Sequence, residues 1–377
     1  MNNQHLYGLP KFIGLTIAIF LLVACAAPPS PLPQGRILLY STGNIFEVPT
    51  DSPVGKATDV RIAGPGIMQQ YIIFWPEKNY LAYRTVDDVR LLNLDSREVK
   101  TFSTGPTTCM SWSLDLSYMT YISTESDENN LYLYDTASGA STLVYAAPAA
   151  TYSDGRTHSG SITCGAWIGV DRFVFDRTVG MPSQLTSVNG VTEGVPANTT
   201  TLAIIGETIS LVDSPEMLSI YGISEDGKHL IFGMDESGMT NLYHVSPPPS
   251  FDNFEFLSPR LIASQIFYNS FTMMGNEVAY DDYEDKETRI RIVNLDTFQE
   301  REGPTITGLY GWVWAGSFEY NVIAFPDDAG NLRLVDMKTD TSKLVASDAL
   351  VKDMELLGLE EGASYSAYHL IGWLPSK

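Results

Sequence analysis

From residue 36 to the end, apolar residues alternate with polar ones in short runs, and the runs are separated by turn-forming residues. The clearest stretch is Gln70 to Phe102: an apolar run ending at Trp75, a polar turn, Tyr80 to Arg84, an acidic turn, Val89 to Leu94, and Glu98 to Phe102. Alternation with period two over four to eight residues, broken by Gly, Asn, Asp and Pro, predicts β-strands rather than helices. Four such strands in succession predict one antiparallel sheet.

The unit repeats. It returns at Thr108, with Trp112 and Tyr118 to Ile122 placed as Trp75 and Tyr80 to Arg84 are, and Leu131 to Tyr134 matching Val89 to Leu94. Further copies begin near Ile162, Leu218, Tyr268 and Leu309. The tryptophan-equivalent positions 75, 112, 167, 223, 273 and 314 are spaced 37 to 56 residues apart. A four-stranded propeller blade needs about 40 to 50 residues, so the longer spacings imply loop insertions.

Fragments remain at both ends. Residues 36 to 63 supply a second, third and fourth strand without a first, and Tyr368 to Pro375 supply a first strand with nothing after it. Pairing them completes a seventh blade and removes two exposed sheet edges. The expected fold is all-β, a single propeller over residues 36–377 with seven four-stranded blades (six being the alternative count), closed by N- and C-terminal strands sharing one blade. Trp75, Trp112, Trp167, Trp314 and Trp373 are expected to pack between blades.

The first 35 residues follow a different pattern. A polar start with Lys11 precedes an apolar run from Phe12 to Val23, too short for the roughly 20 residues of a membrane-spanning helix. Leu22, Val23, Ala24 and Cys25 resemble the lipobox of bacterial lipoproteins, which implies lipidation of Cys25 and removal of residues 1–24 as a signal peptide. Residues 25–35, with Pro28, Pro29, Pro31 and Pro33, predict an extended linker reaching about 25 to 30 Å. Ala26 lacks the acidic character that the family associates with inner-membrane retention. The expected address is the cell envelope, membrane-anchored on the extracytoplasmic side, and the outer membrane where two are present.

The repeats resemble the TolB-like and WD-repeat-like propeller unit, in which a strand ends in Trp-Ser-Pro-Asp-Gly. Pro76 keeps part of it in one unit, Trp112, Ser113 and Asp115 in the next, Asp226 and Gly227 in another. That family includes binding modules, envelope scaffolds and domains attached to peptidases, so the resemblance implies a fold more than an activity.

Composition narrows the partners. With 23 Lys plus Arg against 45 Asp plus Glu, the chain repels phosphate backbones, and no nucleic-acid partner is expected. No Gly-x-Ser-x-Gly elbow, phosphate-binding loop, Cys-x-x-Cys or His-Glu-x-x-His occurs, so no catalytic residue, cofactor or metal is expected. Acidic turns at Glu125 to Glu128, Asp235 and Glu236, Asp281 to Asp285, and Asp327 and Asp328 read as solvated hairpin loops. The expected function is non-catalytic recognition or scaffolding of a protein, peptide or glycan. A propeller-type polysaccharide lyase or glycoside-processing enzyme is the alternative.

Candidate ligand-binding residues are Asp154, Arg156 and His158 in a long loop, with Asp176 and Arg177 one strand later. The longest segments, Ala146 to Ser161, Gly180 to Thr200, Asp281 to Glu287 and Ser347 to Ala363, are all expected on one face, because first-to-second-strand turns stay short. Cys109 and Cys164 stand at matching places on neighbouring first strands. They are expected to be two buried free thiols, a disulfide being the alternative, because matching positions on adjacent blades are expected to exceed the ~7 Å Cα limit for bridging.

Overall fold

The computed structural model describes residues 32–376, except 124–128, 148, 152–156, 160–161, 180–196, 207–208, 214–218, 225–226, 237–238, 247–258, 268–270, 285–286, 308–314, 318–319, 328, 340 and 358–368. It contains seven four-stranded antiparallel sheets and one small hairpin. Blade 1 is built from His369–Pro375, Gly35–Ser41, Asn44–Pro49 and Arg61–Ala63, in order from first strand to fourth. Blade 2 uses Met68–Trp75, Tyr80–Arg84, Val89–Asn93 and Val99–Phe102; blade 3 uses Thr107–Trp112, Tyr118–Ser123, Asn130–Asp135 and Ser141–Ala146. Blade 4 uses Ala166–Trp167, Arg172–Val179, Ala197–Ile204 and Ser210–Asp213; blade 5 uses Ser219–Ile223, Leu230–Glu236, Met239–Val245 and Arg260–Phe267. Blade 6 uses Phe271–Met274, Glu277–Glu284, Glu287–Asn294 and Glu300–Thr307; blade 7 uses Ala315–Ser317, Val322–Pro326, Leu332–Asp336 and Thr341–Ala346. The protein is a seven-bladed β-propeller.

Closure runs through the chain ends, as the two sequence fragments predict. Gly35 pairs with Pro375 and Tyr40 with His369, and the Ser376 N–H donates to the Gln34 carbonyl at 2.9 Å. Gly372 is required there, because a Cβ on it would meet the Phe74 ring of blade 2 at 2.2 Å.

Each blade buries both faces against its neighbours, so the core is a ring of inter-blade clusters. One holds Ile37, Phe46 and Trp373 with Val322, Leu332 and Leu334 of blade 7. Another joins Ala82 and Phe102 of blade 2 to Met110, Trp112 and Tyr121 of blade 3. Trp75 meets Trp112 edge to face with centroids 6.2 Å apart, Trp167 stacks on Tyr118 of blade 3 at 6.2 Å, and Trp373 lies 5.0 Å from Tyr320 of blade 7. These four tryptophans pack between blades as expected, and Trp314 lies outside the described residues.

The structure corrects their equivalence. Trp112 pairs with Met119, whereas in blade 2 it is Phe74 that pairs with the matching Leu81. Phe74 packs toward blade 1, and Trp75, one residue later, points toward blade 3. A one-residue slip along a strand reverses the face a side chain occupies, so the two tryptophans meet from opposite sides of one interface.

Polar side chains fix the turns. In blade 3, Ser113 Oγ accepts from the Tyr118 N–H at 2.9 Å and donates to Asp115 at 2.8 Å, which is what the Trp-Ser-x-Asp remnant does physically. Ser224 Oγ plays the same part in blade 5, accepting from the His229 N–H. Between third and fourth strands, Asn93, Asp135, Asn294 and Asp336 each accept from the backbone N–H groups two and three residues on. These bonds close the turn, as short polar side chains do.

Helix α1 (Asp348–Leu356) stands where the sequence predicts only a loop. The Ser347 side chain caps it by accepting from the Leu350 N–H at 3.3 Å, and Leu350, Val351 and Met354 are buried against blades 7 and 1. Asp353 accepts from the Ala57 N–H at 2.8 Å, and the Leu357 carbonyl accepts from Asn44 Nδ2 at 2.9 Å. The helix therefore wedges the junction where the ring closes.

Candidate functional site

Strand alternation gives the ring two distinct faces. Turns from first to second and from third to fourth strands lie on one, which also carries both chain ends and is here the terminal face. Second-to-third turns and the crossings between blades lie on the other, the loop face.

The strands flanking the connections between blades 3 and 4, within blade 4 and between blades 7 and 1 end on the loop face; residues 180–196 and 358–368 lie outside the described residues. Two expectations need correction. Asp281 to Glu287 is not a loop, since the strands run on until Glu284 pairs with Glu287; alternation of Tyr280, Asp282 and Glu284 is compatible with a continuing strand. Nor is insertion confined to one face. Met239–Val245 ends and Arg260–Phe267 begins on the terminal face with fourteen residues of sequence between them, of which 247–258 lie outside the described residues.

Of the candidate binding residues, Asp154 and Arg156 lie outside the described residues, as do Cys25 and the Glu125 to Glu128 turn. His158 sits in the hairpin of Ala149–Thr151 and Thr157–Ser159, paired with Ala150. A few residues on, the chain docks against blade 4: Ile162 bridges to Arg177, the Thr163 N–H donates to the Asp176 carbonyl, and the Asp176 N–H donates to Thr163 Oγ1, both at 2.9 Å. The Arg177 guanidinium lies 4.5 Å from the Tyr145 ring centroid of blade 3. The geometry thus brings the hairpin, Asp176 and Arg177 to one end of blade 4, and Arg177 joins that blade to its neighbour through a cation–π contact.

Cys109 and Cys164 form a disulfide, which overturns the free-thiol expectation. Their Cα atoms are 5.9 Å apart. First strands crowd together around the propeller axis, and Cys109, in a bulge between Thr107 and Met110, lies on the opposite side of its strand from Met110 and so faces blade 4. Gly165, next to Cys164, has φ +74°, and a Cβ there would meet the Val174 carbonyl at 2.0 Å.

A second polar constellation, unmarked by any motif, lies on the terminal face between blades 5 and 6. His229 Nδ1 and His244 Nε2 are 2.9 Å apart and both rings are buried. His229 Nε2 is 3.3 Å from Asp296, which also accepts from Asn276, and the Arg260 guanidinium covers the Phe298 ring at 3.6 Å. Burial first, then His229 and Arg260, lower the His244 pKa to about 4, with Asp296 opposing. One ring donates to the other, so at least one histidine is neutral. The sequence signal was only two histidines on neighbouring strands of one unit.

Elsewhere on the same face, at blade 1, a cleft of about 360 Å³ is lined by Glu47, Pro49, Pro53, Val54 and Asp59. Its Glu47 carboxylate is taken by Arg36 at 3.3 Å and Arg97 of blade 2 at 2.5 Å, a charge clasp between blades. Among the described residues no group of three His, Cys, Asp or Glu side chains converges to hold a metal ion, and no helix is long and apolar enough to cross a membrane.

The class these features define is a seven-bladed propeller with a disulfide staple and loop insertions. No protein-family model and no curated protein matches the chain. Among solved structures it is similar to an oligogalacturonate lyase from Vibrio parahaemolyticus, at 13% identity over 84% of this chain and 85% of that one, TM-score 0.50. An oligogalacturonate lyase in complex with manganese gives the same figures. TolB from Acinetobacter baumannii is similar at 12% identity over 100% of this chain and 76% of that one, TM-score 0.39. Likeness at such identities speaks for the fold alone.

Proposed function

We propose that this is an envelope lipoprotein, held by lipid on Cys25, whose propeller is a non-catalytic recognition or scaffold module for a protein, peptide or glycan partner. The observation that carries the reading is the placement of the ends. Gln34 and Gly35 leave the ring on the terminal face, beside Pro375 and Ser376, so the linker of residues 25–35 connects to the face opposite the blade 3–4, blade 4 and blade 7–1 insertions. A membrane on that side leaves the loop face free, and loops on a rigid frame are where recognition concentrates. The Cys109–Cys164 disulfide fits an oxidising, exported setting. Asp154, Arg156 and His158 are the proposed contact residues of the first insertion.

Cys25→Ser should move the protein from the membrane fraction to the soluble one, and wild type should take up labelled fatty acid. Continued membrane partition of the variant, with no label on wild type, sinks the tether. Once a partner is captured from envelope extracts, shortening 146–161 and 180–200 to tight turns should abolish binding and leave melting nearly unchanged. Retained affinity would show that the loop face is not the one used.

A further inference from the structure

At the loop-face end of blade 2 the Arg84 side chain runs into the interior with no negative group paired to it among the described residues. Arg84 is 9% exposed, its Nε is enclosed with no hydrogen-bond partner, and no ion pair reaches it among the described residues. Its contact is with Tyr71, whose ring centroid lies 5.0 Å from the guanidinium. Burial lowers the Arg84 pKa and Tyr71 partly opposes this, yet a guanidinium stays protonated in proteins. An enclosed N–H with no acceptor costs more than one ring contact returns.

The register shows what faces it. Ala82, two residues earlier on the same strand, packs against Met110, Trp112 and Tyr121, so alternation turns Arg84 toward blade 3. On blade 3, Thr107 and Asn130 are both paired with Ser123, two residues beyond Tyr121, and therefore lie on the side facing blade 2. Thr107 Oγ1 and Asn130 Oδ1 are also buried without a partner. Three orphaned polar atoms thus belong to one wedge, and the first strands of both blades bulge beside it, between Met68 and Ile72 and between Thr107 and Met110. Buried polar groups are normally satisfied, so a cluster of exceptions calls for an absent partner.

We propose that this wedge binds a small organic carboxylate with a hydroxyl or amine next to the acid group. The Arg84 guanidinium and Thr107 hydroxyl donate to the carboxylate, Tyr71 flanks it, and Asn130 Oδ1 accepts from the neighbouring O–H or N–H. That acceptor selects against sulfate, which brings only further acceptors. The site does not depend on the tether or on the long insertions.

Thermal melting and NMR titration of the purified protein with lactate, acetate and sulfate test it. Lactate should raise the melting temperature saturably, acetate should do so less, and sulfate should have no effect. Arg84→Met should weaken lactate binding about tenfold or more while melting no lower than wild type without ligand, because it removes an enclosed donor that has no acceptor. Asn130→Asp supplies the missing carboxylate internally, and should raise the melting temperature and abolish lactate binding. The proposal is overturned if no carboxylate binds, if sulfate binds as well as lactate, if Asn130→Asp leaves both readouts unchanged, or if folded Arg84→Met binds lactate as wild type does.

Discussion

Blades 1 and 4 are both interrupted, and the fold repairs them by opposite means. Blade 1 is assembled from chain ends more than 300 residues apart in sequence. Its first strand pairs along nearly the whole of the second, a sixteen-residue cluster of buried side chains packs around it, and α1 fills the seam. Blade 4 is continuous in sequence but has a first strand of only two residues, Ala166–Trp167, directly after a large insertion. There a covalent link to blade 3 does what a long ladder does elsewhere. A gap in the chain can be closed by buried area, whereas a strand too short to hold register needs a staple.

The largest effect should come from breaking blade 1. Removing Tyr368 to Lys377 exposes the edge of Gly35–Ser41 and empties the space filled by Trp373, a loss beyond any single substitution. The shortened chain should aggregate or melt far below wild type, and equal melting temperatures would refute closure by the ends.

Breaking the staple of blade 4 should cost less. For a loop of 55 residues, losing the disulfide destabilises by roughly 4 kcal/mol on the chain-entropy model. Urea unfolding of Cys109→Ser/Cys164→Ser should show a lower midpoint, together with faster amide exchange in blade 4 than in blade 1. Uniform exchange across both blades would remove the distinction drawn between them.

A third junction, between blades 5 and 6, relies on neither device and should respond to pH. His244 has a pKa of about 4 in the folded protein against 6.5 ordinarily. Between those values the unfolded chain takes up a proton that the folded one does not, so stability is full above pH 6.5 and falls as pH drops toward 4. The loss should approach roughly 3 kcal/mol at the low end. His244→Leu should flatten that part of the profile, and an unchanged slope would exclude the histidine pair as its source.

The smallest effect concerns the seam helix. Ser347→Ala removes its N-cap and should cost about 1 kcal/mol by urea unfolding. An effect near zero would mean that burial of Leu350 and Met354 alone holds α1 in place.

Most of the architecture was legible because it rests on period-two alternation: the blade order, the shared blade and the inter-blade tryptophans all follow from it. What escaped depends on distance across the ring. The spacing of Cys109 from Cys164 is set by crowding of first strands, which alternation does not encode. The one-residue difference between Trp75 and Trp112 was hidden because both keep an aromatic in nearly the same place. α1 was missed because a nine-residue helix in a long connection leaves a short pattern, although Ser347 before Leu350, Val351 and Met354 is a cap followed by an apolar stripe. The candidate cluster was chosen for density of charge; of its described members, His158 lies in the small hairpin, Asp176 bonds through its backbone to Thr163, and Arg177 packs on Tyr145 of blade 3. Arg84 gave a better signal, a lone cation closing the apolar run Tyr80 to Tyr83, and it went unread because a single arginine at a strand end looks solvated.

The pairing of Gly35–Ser41 with His369–Pro375 also has a mechanical meaning. A pull on the residues before Gly35 acts along the axis of a strand flanked on both sides, by His369–Pro375 and by Asn44–Pro49. Ladder bonds lie perpendicular to the strands, so the load falls in shear on both ladders at once and cannot peel them apart one bond at a time. The ring is therefore strongest in the direction in which a tether would drag it.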